Sequence, residues 1–206
     1  MAEEAVVFGS KEWFQIAKQK LSTDEDLKKG AATWQGAMRC VIDAEDENAV
    51  KEYTTEDGIK AILGMFSLLS VEERVKYKGT GLANLVEKLG VALDEDLEAV
   101  DAAEVAKKAA SMTIDDFKGA VIYASFEPYM GELRQMDPIA PDALLDAPFT
   151  LTGKFTWWKE LCTGKQSAIQ LIMGGKMQLD GDITYIMKRM AAVNALMKVY
   201  NSIPLK

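Results

Sequence analysis

The chain has 206 residues, enough for one full hydrophobic core, with the 49% hydrophobic and 27% charged content of an ordinary globular protein. It contains no histidine, which removes Ser-His-Asp and Cys-His catalysis, imidazole acid–base work and the common zinc sites in one step. A net charge of −8 argues against nucleic acid as a partner, and no apolar run approaches the ~18 residues of a membrane span.

The opening MAEEAVVFGS is acidic and does not read as a leader peptide, and the closing IPLK is not a Ser-Lys-Leu type of address. Two cysteines, Cys40 and Cys162, read as free buried thiols in a reducing compartment, and the expected location is the cytoplasm. The charge is unevenly spread. Residues 45–117 carry 17 acidic and 8 basic side chains, whereas residues 151–206 carry 3 acidic and 8 basic ones. Both stretches read as solvated faces; the sharper alternative is a basic end that meets anionic head groups.

Residues 10–21 form an amphipathic helix with Trp13, Ile16, Ala17 and Leu21 on one face and Phe14 beside them. A short helical tail ends at Gly30, and residues 33–42 (TWQGAMRCVI) read as a strand. The chain then turns helical and acidic. Residues 48–53, 56–69, 81–89 and 94–110 are helix candidates, and Ser70 with Glu73 makes a capping box at the start of SVEERVKYK. Strand propensity returns at 120–123, with Phe126, and at 133–139. Pro138, Pro141 and Pro148 mark turns or edge positions.

The stretch 147–190 alternates type quickly. Phe149 and Leu151, flanked by Thr150 and Thr152, read as a strand by period-two alternation. Thr156 is placed to cap a short helix carrying Trp157, Trp158, Leu161 and Cys162, which Gly164 stops. A second short helix, 167–173, ends at Gly174-Gly175, and 176–179 has room only for a strand. Asp182 caps a terminal helix over 183–202, with Ile186, Met190, Val193, Leu196, Met197 and Tyr200 on one face. Five of the eleven methionines lie in residues 173–197. Methionine suits surfaces that accept varied apolar shapes, and equally it fills cores.

Several motifs fail on inspection. Thr163-Gly164-Lys165-Gln166 lacks the Ser or Thr and the earlier glycine of a phosphate loop. Gly79-Thr80-Gly81 lacks the third glycine of a dinucleotide fingerprint, and Asp180-Gly181-Asp182 is too short for a calcium loop. No catalytic residue, metal ligand or cofactor site is assigned.

The order of these elements resembles the C-terminal half of the sterol carrier (nonspecific lipid-transfer) protein family. That pattern has a strand, a short helix ending in Gly-Lys, an apolar helix, a GKLKIxGN/D block and a Met/Leu-rich helix. Here Thr163-Gly164-Lys165 matches the first Gly-Lys and GKMQLDGD, residues 175–182, matches the second block with the family's spacing. Met187-Lys188 falls on the family's own Met-Lys pair, and the resemblance spans about residues 118–192. Ala168-Ile169 stand where the family usually has Pro-Gln.

The resemblance implies an α+β fold, a mainly antiparallel sheet of about five strands with helices packed on it, in a single domain interrupted by a helical insertion at 45–117. It implies non-catalytic binding and transfer of a fatty acid, acyl-CoA or sterol-like lipid in a hydrophobic tunnel. The expected lining is Leu171, Ile172, Met173, Met177, Ile183, Ile186, Met187, Met190 and Met197, with Trp157, Trp158 and Phe14 as further candidates. Transient membrane contact through the basic C-terminal region goes with that reading. The alternative is a protein-interaction module, with the acidic insertion as partner surface and the apolar groove as the seat of a partner or of a second copy in a homodimer.

Overall fold

Strand β1 (Met38–Asp43) is the centre of a five-stranded sheet of order β3-β2-β1-β4-β5 in the computed structural model, which describes residues 4–206. It pairs antiparallel with β2 (Val121–Tyr129) and parallel with β4 (Phe149–Lys154). Strand β3 (Glu132–Gln135) extends the β2 side and β5 (Met177–Gly181) the β4 side, both antiparallel. The sheet is therefore mostly antiparallel with one parallel pair. Register puts Cys40 beside Ala124 and Leu151, and Ile42 beside Ile122 and Gly153. Strand alternation then gives one face to Cys40, Ile42, Ile122, Ala124 and Phe126, and the opposite face to Arg39, Val41 and Tyr123. On that opposite face Arg39 lies over the Tyr123 ring at 4.4 Å and donates to the carbonyls of Pro141 (2.7 Å) and Ala143 (3.1 Å).

Helix α1 (Lys11–Thr23) is N-capped by Ser10, whose Oγ accepts from the Trp13 N–H at 3.1 Å. The cap fixes the first turn, so Trp13, Phe14, Ala17 and Leu21 are all buried. Helix α2 (Glu25–Gly30) follows and packs on α11 (Met190–Asn201) through Gly30, where a Cβ would stand 2.6 Å from the Ala192 backbone nitrogen. Only a glycine allows that approach.

Between β1 and β2 the chain forms α3 (Glu47–Tyr53), α4 (Glu56–Ser67), α5 (Val71–Val75), α6 (Gly81–Lys88) and α7 (Ala102–Ala109), with 3-10 turns at Leu97–Ala99 and Ile114–Phe117. The capping box of Ser70 and Glu73 forms as the sequence predicts. The helix expected over 94–110 is split, because Asp101 caps a new helix with its carboxylate. Buried residues of these helices and of the sheet belong to one hydrophobic cluster. Polar links also tie the segment to the C-terminal part. Asn48 Nδ2 meets Thr156 Oγ1 at 2.8 Å, and Glu52 pairs with Lys159.

Helices α8 (Phe155–Cys162), α9 (Ala168–Met173) and α10 (Ile183–Met187) complete the chain with α11. Four expectations change here. The first strand begins at Met38 rather than Thr33, because Gly36 turns the chain at φ +99° and the Trp34 indole donates to its carbonyl at 3.0 Å. Strand β3 stops at Gln135, well short of Ile139. Lys154 takes the N-cap position of α8, and the Thr156 hydroxyl donates to Asp46 Oδ1 at 2.8 Å. The terminal helix breaks at Arg189 (φ −117°, ψ 27°), whose guanidinium donates to the carbonyls of Thr33 and Tyr185 instead of continuing the helix face. Asp182 caps α10 as expected, accepting from Thr184 and Tyr185 N–H groups.

Candidate functional site

Where the sheet face of β1 and β2 lies under α1, α8 and α11, a cavity of about 30 Å³ remains. Helix α1 contributes Trp13 and Phe14, α8 contributes Trp158 and Cys162, and α11 contributes Tyr200. Cys40, Ile42, Ile122, Ala124 and Phe126 form the sheet floor, with Ser125 beside them. Phe8, Gly9 and Met136 close the ends, and Tyr53 enters from α3. Aromatic rings interlock around it. Trp13 stands edge-on to Phe8 (5.1 Å) and Phe14 (5.2 Å) and tilted against Tyr200 (5.2 Å). Ligand pockets usually measure roughly 300–1,000 Å³. The space here is about the size of one water's share of liquid.

No charged side chain lines this cavity. Burial pushes the Cys40 thiol up to about 12, and it pushes the Cys162 thiol and the Tyr53 and Tyr200 phenols upward as well. All four stay neutral through the physiological range. Two polar contacts around the wall are settled: Trp158 Nε1 donates to the Val41 carbonyl at 3.1 Å, and Ser125 Oγ to the Asp137 carbonyl at 3.2 Å. Among the described residues the Tyr200 hydroxyl has only the Met136 sulfur, a weak acceptor, at 3.8 Å. Trp13 Nε1 is buried without a partner among the described residues. Such an orphaned donor costs about 1–3 kcal/mol.

A second apolar space is an open groove of about 630 Å³ between α9, the turn before it, and α11. Ile169, Met190, Val193 and Met197 share its walls with Gln166, Gln170, Asn194 and Lys198. The residues singled out by sequence therefore divide. Phe14 and Trp158 line the closed cavity, while Met190 and Met197, both half-buried, line the groove. Leu171, Met177 and Ile186 are buried in the core cluster, and Ile172 and Trp157 pack partly buried against it. Lys176 Nζ sits 4.2 Å from the Trp157 ring centroid.

Met173 (78% exposed), Met187 (49%) and Ile183 (47%) face outward. The helix break at Arg189 explains the last two. It ends α10 after one turn, and of that turn Ile186 is the residue that is buried. The sequence reading missed most of the cavity wall. Its residues come from seven separate segments, and the available signal was the strand alternation Ile122, Ala124, Phe126 together with the Trp13-Phe14 pair.

Much of the basic C-terminal charge is used within the molecule. Lys154 pairs with Asp43 (2.7 Å), Lys159 with Glu52, Lys198 with Asp26 (3.0 Å) and Lys206 with Asp57 (2.8 Å). Burial raises the Glu52 carboxyl above its ordinary value despite the opposing Lys159 ammonium. Among the described residues no group of three or more His, Cys, Asp or Glu side chains is placed to hold a metal ion, and no helix is long and apolar enough to cross a membrane.

Comparison with known proteins gives four findings. The model of the SCP-2 sterol transfer family matches residues 86–194. That match begins inside the helical segment between β1 and β2 and runs into α11. A crystal structure of sterol carrier protein 2 aligns with a TM-score of 0.55 and 15% identity, covering 95% of this chain and 98% of that one. A solution structure of a conserved hypothetical protein from Thermus thermophilus aligns with a TM-score of 0.53 and 14% identity, covering 100% and 95% of the two chains. At these identities the structural likeness concerns the fold. No curated protein matches the sequence.

Proposed function

The chain belongs to the SCP-2 sterol transfer family, and from that premise we propose that it binds a fatty acyl or sterol-like lipid between its sheet and helices α1, α8 and α11 and carries it without a covalent step. The observation that carries this reading is the cavity. It is enclosed, walled by aromatic and aliphatic side chains, and free of charge. Each buried methylene gains roughly 0.8 kcal/mol, so a long chain offers ~10 kcal/mol gross against association costs of several kcal/mol. Part of that gain separates the helices from the sheet, since the closed space holds about one water. Micromolar affinity with loose selectivity follows.

The segment 45–117 acts in this reading as an insertion that covers one end of the site, because Tyr53 from α3 reaches the cavity and Glu52 beside it ties α3 to α8. Delivery requires membrane contact. Helices α9 and α10 flank β5, and each presents an exposed apolar pair, Ile169 with Met173 and Ile183 with Met187, with Lys188 adjacent. That combination suits an anionic surface. Two free thiols fit a reducing compartment such as the cytoplasm.

Native mass spectrometry of freshly purified protein, followed by organic extraction, tests the central reading. A co-purifying lipid that a fluorescent acyl probe displaces supports it. An empty protein that also ignores the probe contradicts it, and a mass that then doubles with concentration assigns the apolar surfaces to self-association.

A further inference from the structure

Three buried side-chain polar atoms lack a partner among the described residues: Glu52 Oε1, Arg74 Nε and Trp13 Nε1. The first two belong to groups that are satisfied elsewhere. The other Glu52 oxygen meets Lys159, and Arg74 Nη1 donates to the Glu95 carbonyl at 3.0 Å. Tryptophan has a single polar atom, a donor, so Trp13 is left with nothing. Its ring is 96% buried, by its 4% relative exposure, and forms part of the cavity wall.

The surroundings decide what completes it. Neither cation nor anion lines the cavity. The Tyr200 ring lies 5.2 Å from that of Trp13, and among the described residues its hydroxyl has only the Met136 sulfur as acceptor, at 3.8 Å. A guest with one acceptor oxygen would satisfy the indole and gain from the hydroxyl. A carboxylate would bring a full charge into a space with no counter-ion, and the cost of that outweighs the one or two neutral hydrogen bonds on offer.

We propose that Trp13 Nε1–H is the donor that receives the polar end of the bound lipid, and that the protein selects an uncharged lipid ending in an alcohol hydroxyl or a carbonyl oxygen over an ionised fatty acid. This inference rests on the cavity being the lipid site. Trp13 acts as a specificity-determining residue, since hydrophobic burial of the chain is the same for an acid, an alcohol and an alkane of equal length.

The test uses the full chain and phosphatidylcholine vesicles carrying tritiated hexadecanol, palmitate or hexadecane at neutral pH. Protein is separated from vesicles by sedimentation and the bound label counted. Wild type takes up hexadecanol about tenfold better than palmitate and severalfold better than hexadecane. Trp13→Phe lowers the ratio of hexadecanol to hexadecane uptake, measured in the same variant, about fivefold, the equivalent of one net hydrogen bond. Equal uptake of palmitate and hexadecanol overturns the proposal, as does a Trp13→Phe protein that loses none of its hexadecanol preference. Failure of wild type to take up any of the three overturns the cavity as the lipid site, a distinguishable result.

A second readout needs no variant. In the wild-type chain labelled with nitrogen-15, the Trp13 indole proton moves downfield on adding hexadecanol and not on adding hexadecane. An indole resonance indifferent to both, while hexadecanol binds, overturns the proposal.

Discussion

The closed cavity and the open groove both take residues from α11 and differ in almost every physical respect. The cavity is assembled from aromatic rings of α1, α8 and α11 over a sheet floor, holds about 30 Å³ and carries no charge. The groove is more than an order of magnitude larger, about 630 Å³, but glutamines, an asparagine and Lys198 share its walls with Met190 and Met197. The comparison teaches that volume and apolar character need not coincide. A half-polar groove open to solvent gains less from an acyl chain than an uncharged one. An uncharged space between packed layers loses van der Waals contacts when it opens, and regains them from the guest.

Truncating the cavity wall should have the largest effect. Phe14→Ala removes a ring that is 3% exposed and should cost about 3–5 kcal/mol in urea unfolding while enlarging the space. The matching groove change, Met197→Ala, should cost about 1 kcal/mol, because that side chain is only half-buried. Equal losses would mean that the two spaces are not distinct in packing.

Filling comes next. Ala124→Leu places extra methylenes over the sheet floor and should abolish lipid uptake, at about 1–3 kcal/mol of stability in the same assay. Full uptake by a folded Ala124→Leu protein would move the site elsewhere.

pH separates the regions more finely. Because the cavity thiols and phenols are pushed upward, binding of an uncharged lipid should be flat from about pH 6 to 9, as a fluorescence titration would show. Stability behaves differently. Hydrogen bonds from Lys198 and Lys206 hold the Asp26 and Asp57 carboxyls below their ordinary value. Their contribution is present above the unfolded value and is lost as pH falls through the folded one, below about 4.

Glu52 has the opposite sign. Its carboxyl is raised by burial, so its contribution is present at low pH, below the ordinary value of 4.5, and is lost as pH rises through the raised folded value. The stability of wild type relative to Glu52→Gln should therefore decline across that window in urea titrations. The smallest effect is expected at the groove: Met190→Lys should change stability by no more than about 1 kcal/mol and leave uptake intact. Loss of uptake in a stable Met190→Lys protein would transfer the function to the groove.

The two regions were also unequally legible in the sequence. The α+β class, about four of the strands, the Ser70 and Asp182 caps and the family resemblance follow from local signals: alternation at Phe149 and Leu151, capping residues, and two Gly-Lys blocks at fixed spacing; the count of five came with the resemblance. The parallel pairing of β1 with β4 did not, because residues 44–148 separate them and register is set by long-range contact. The methionines stood out because they cluster along the chain, yet Met173 and Met187 are exposed, and Met190 and Met197 line the groove.

The cavity residues were hidden for the converse reason. Trp13, Cys40, Tyr53, Ala124, Cys162 and Tyr200 are far apart in sequence, and each on its own face reads as ordinary core. The Arg189 break was equally silent, since it depends on carbonyls of Thr33 and Tyr185 that only the fold supplies.

The most direct test of the lipid site is photo-crosslinking with a long-chain alcohol bearing a diazirine near its tail, followed by peptide mapping of the full-length protein. Adducts on the peptides carrying Phe14, Ile122 to Phe126 and Tyr200 are the predicted result. Adducts confined to Ile169, Met190 and Val193, with the cavity peptides unlabelled, would contradict the account and assign the lipid to the groove.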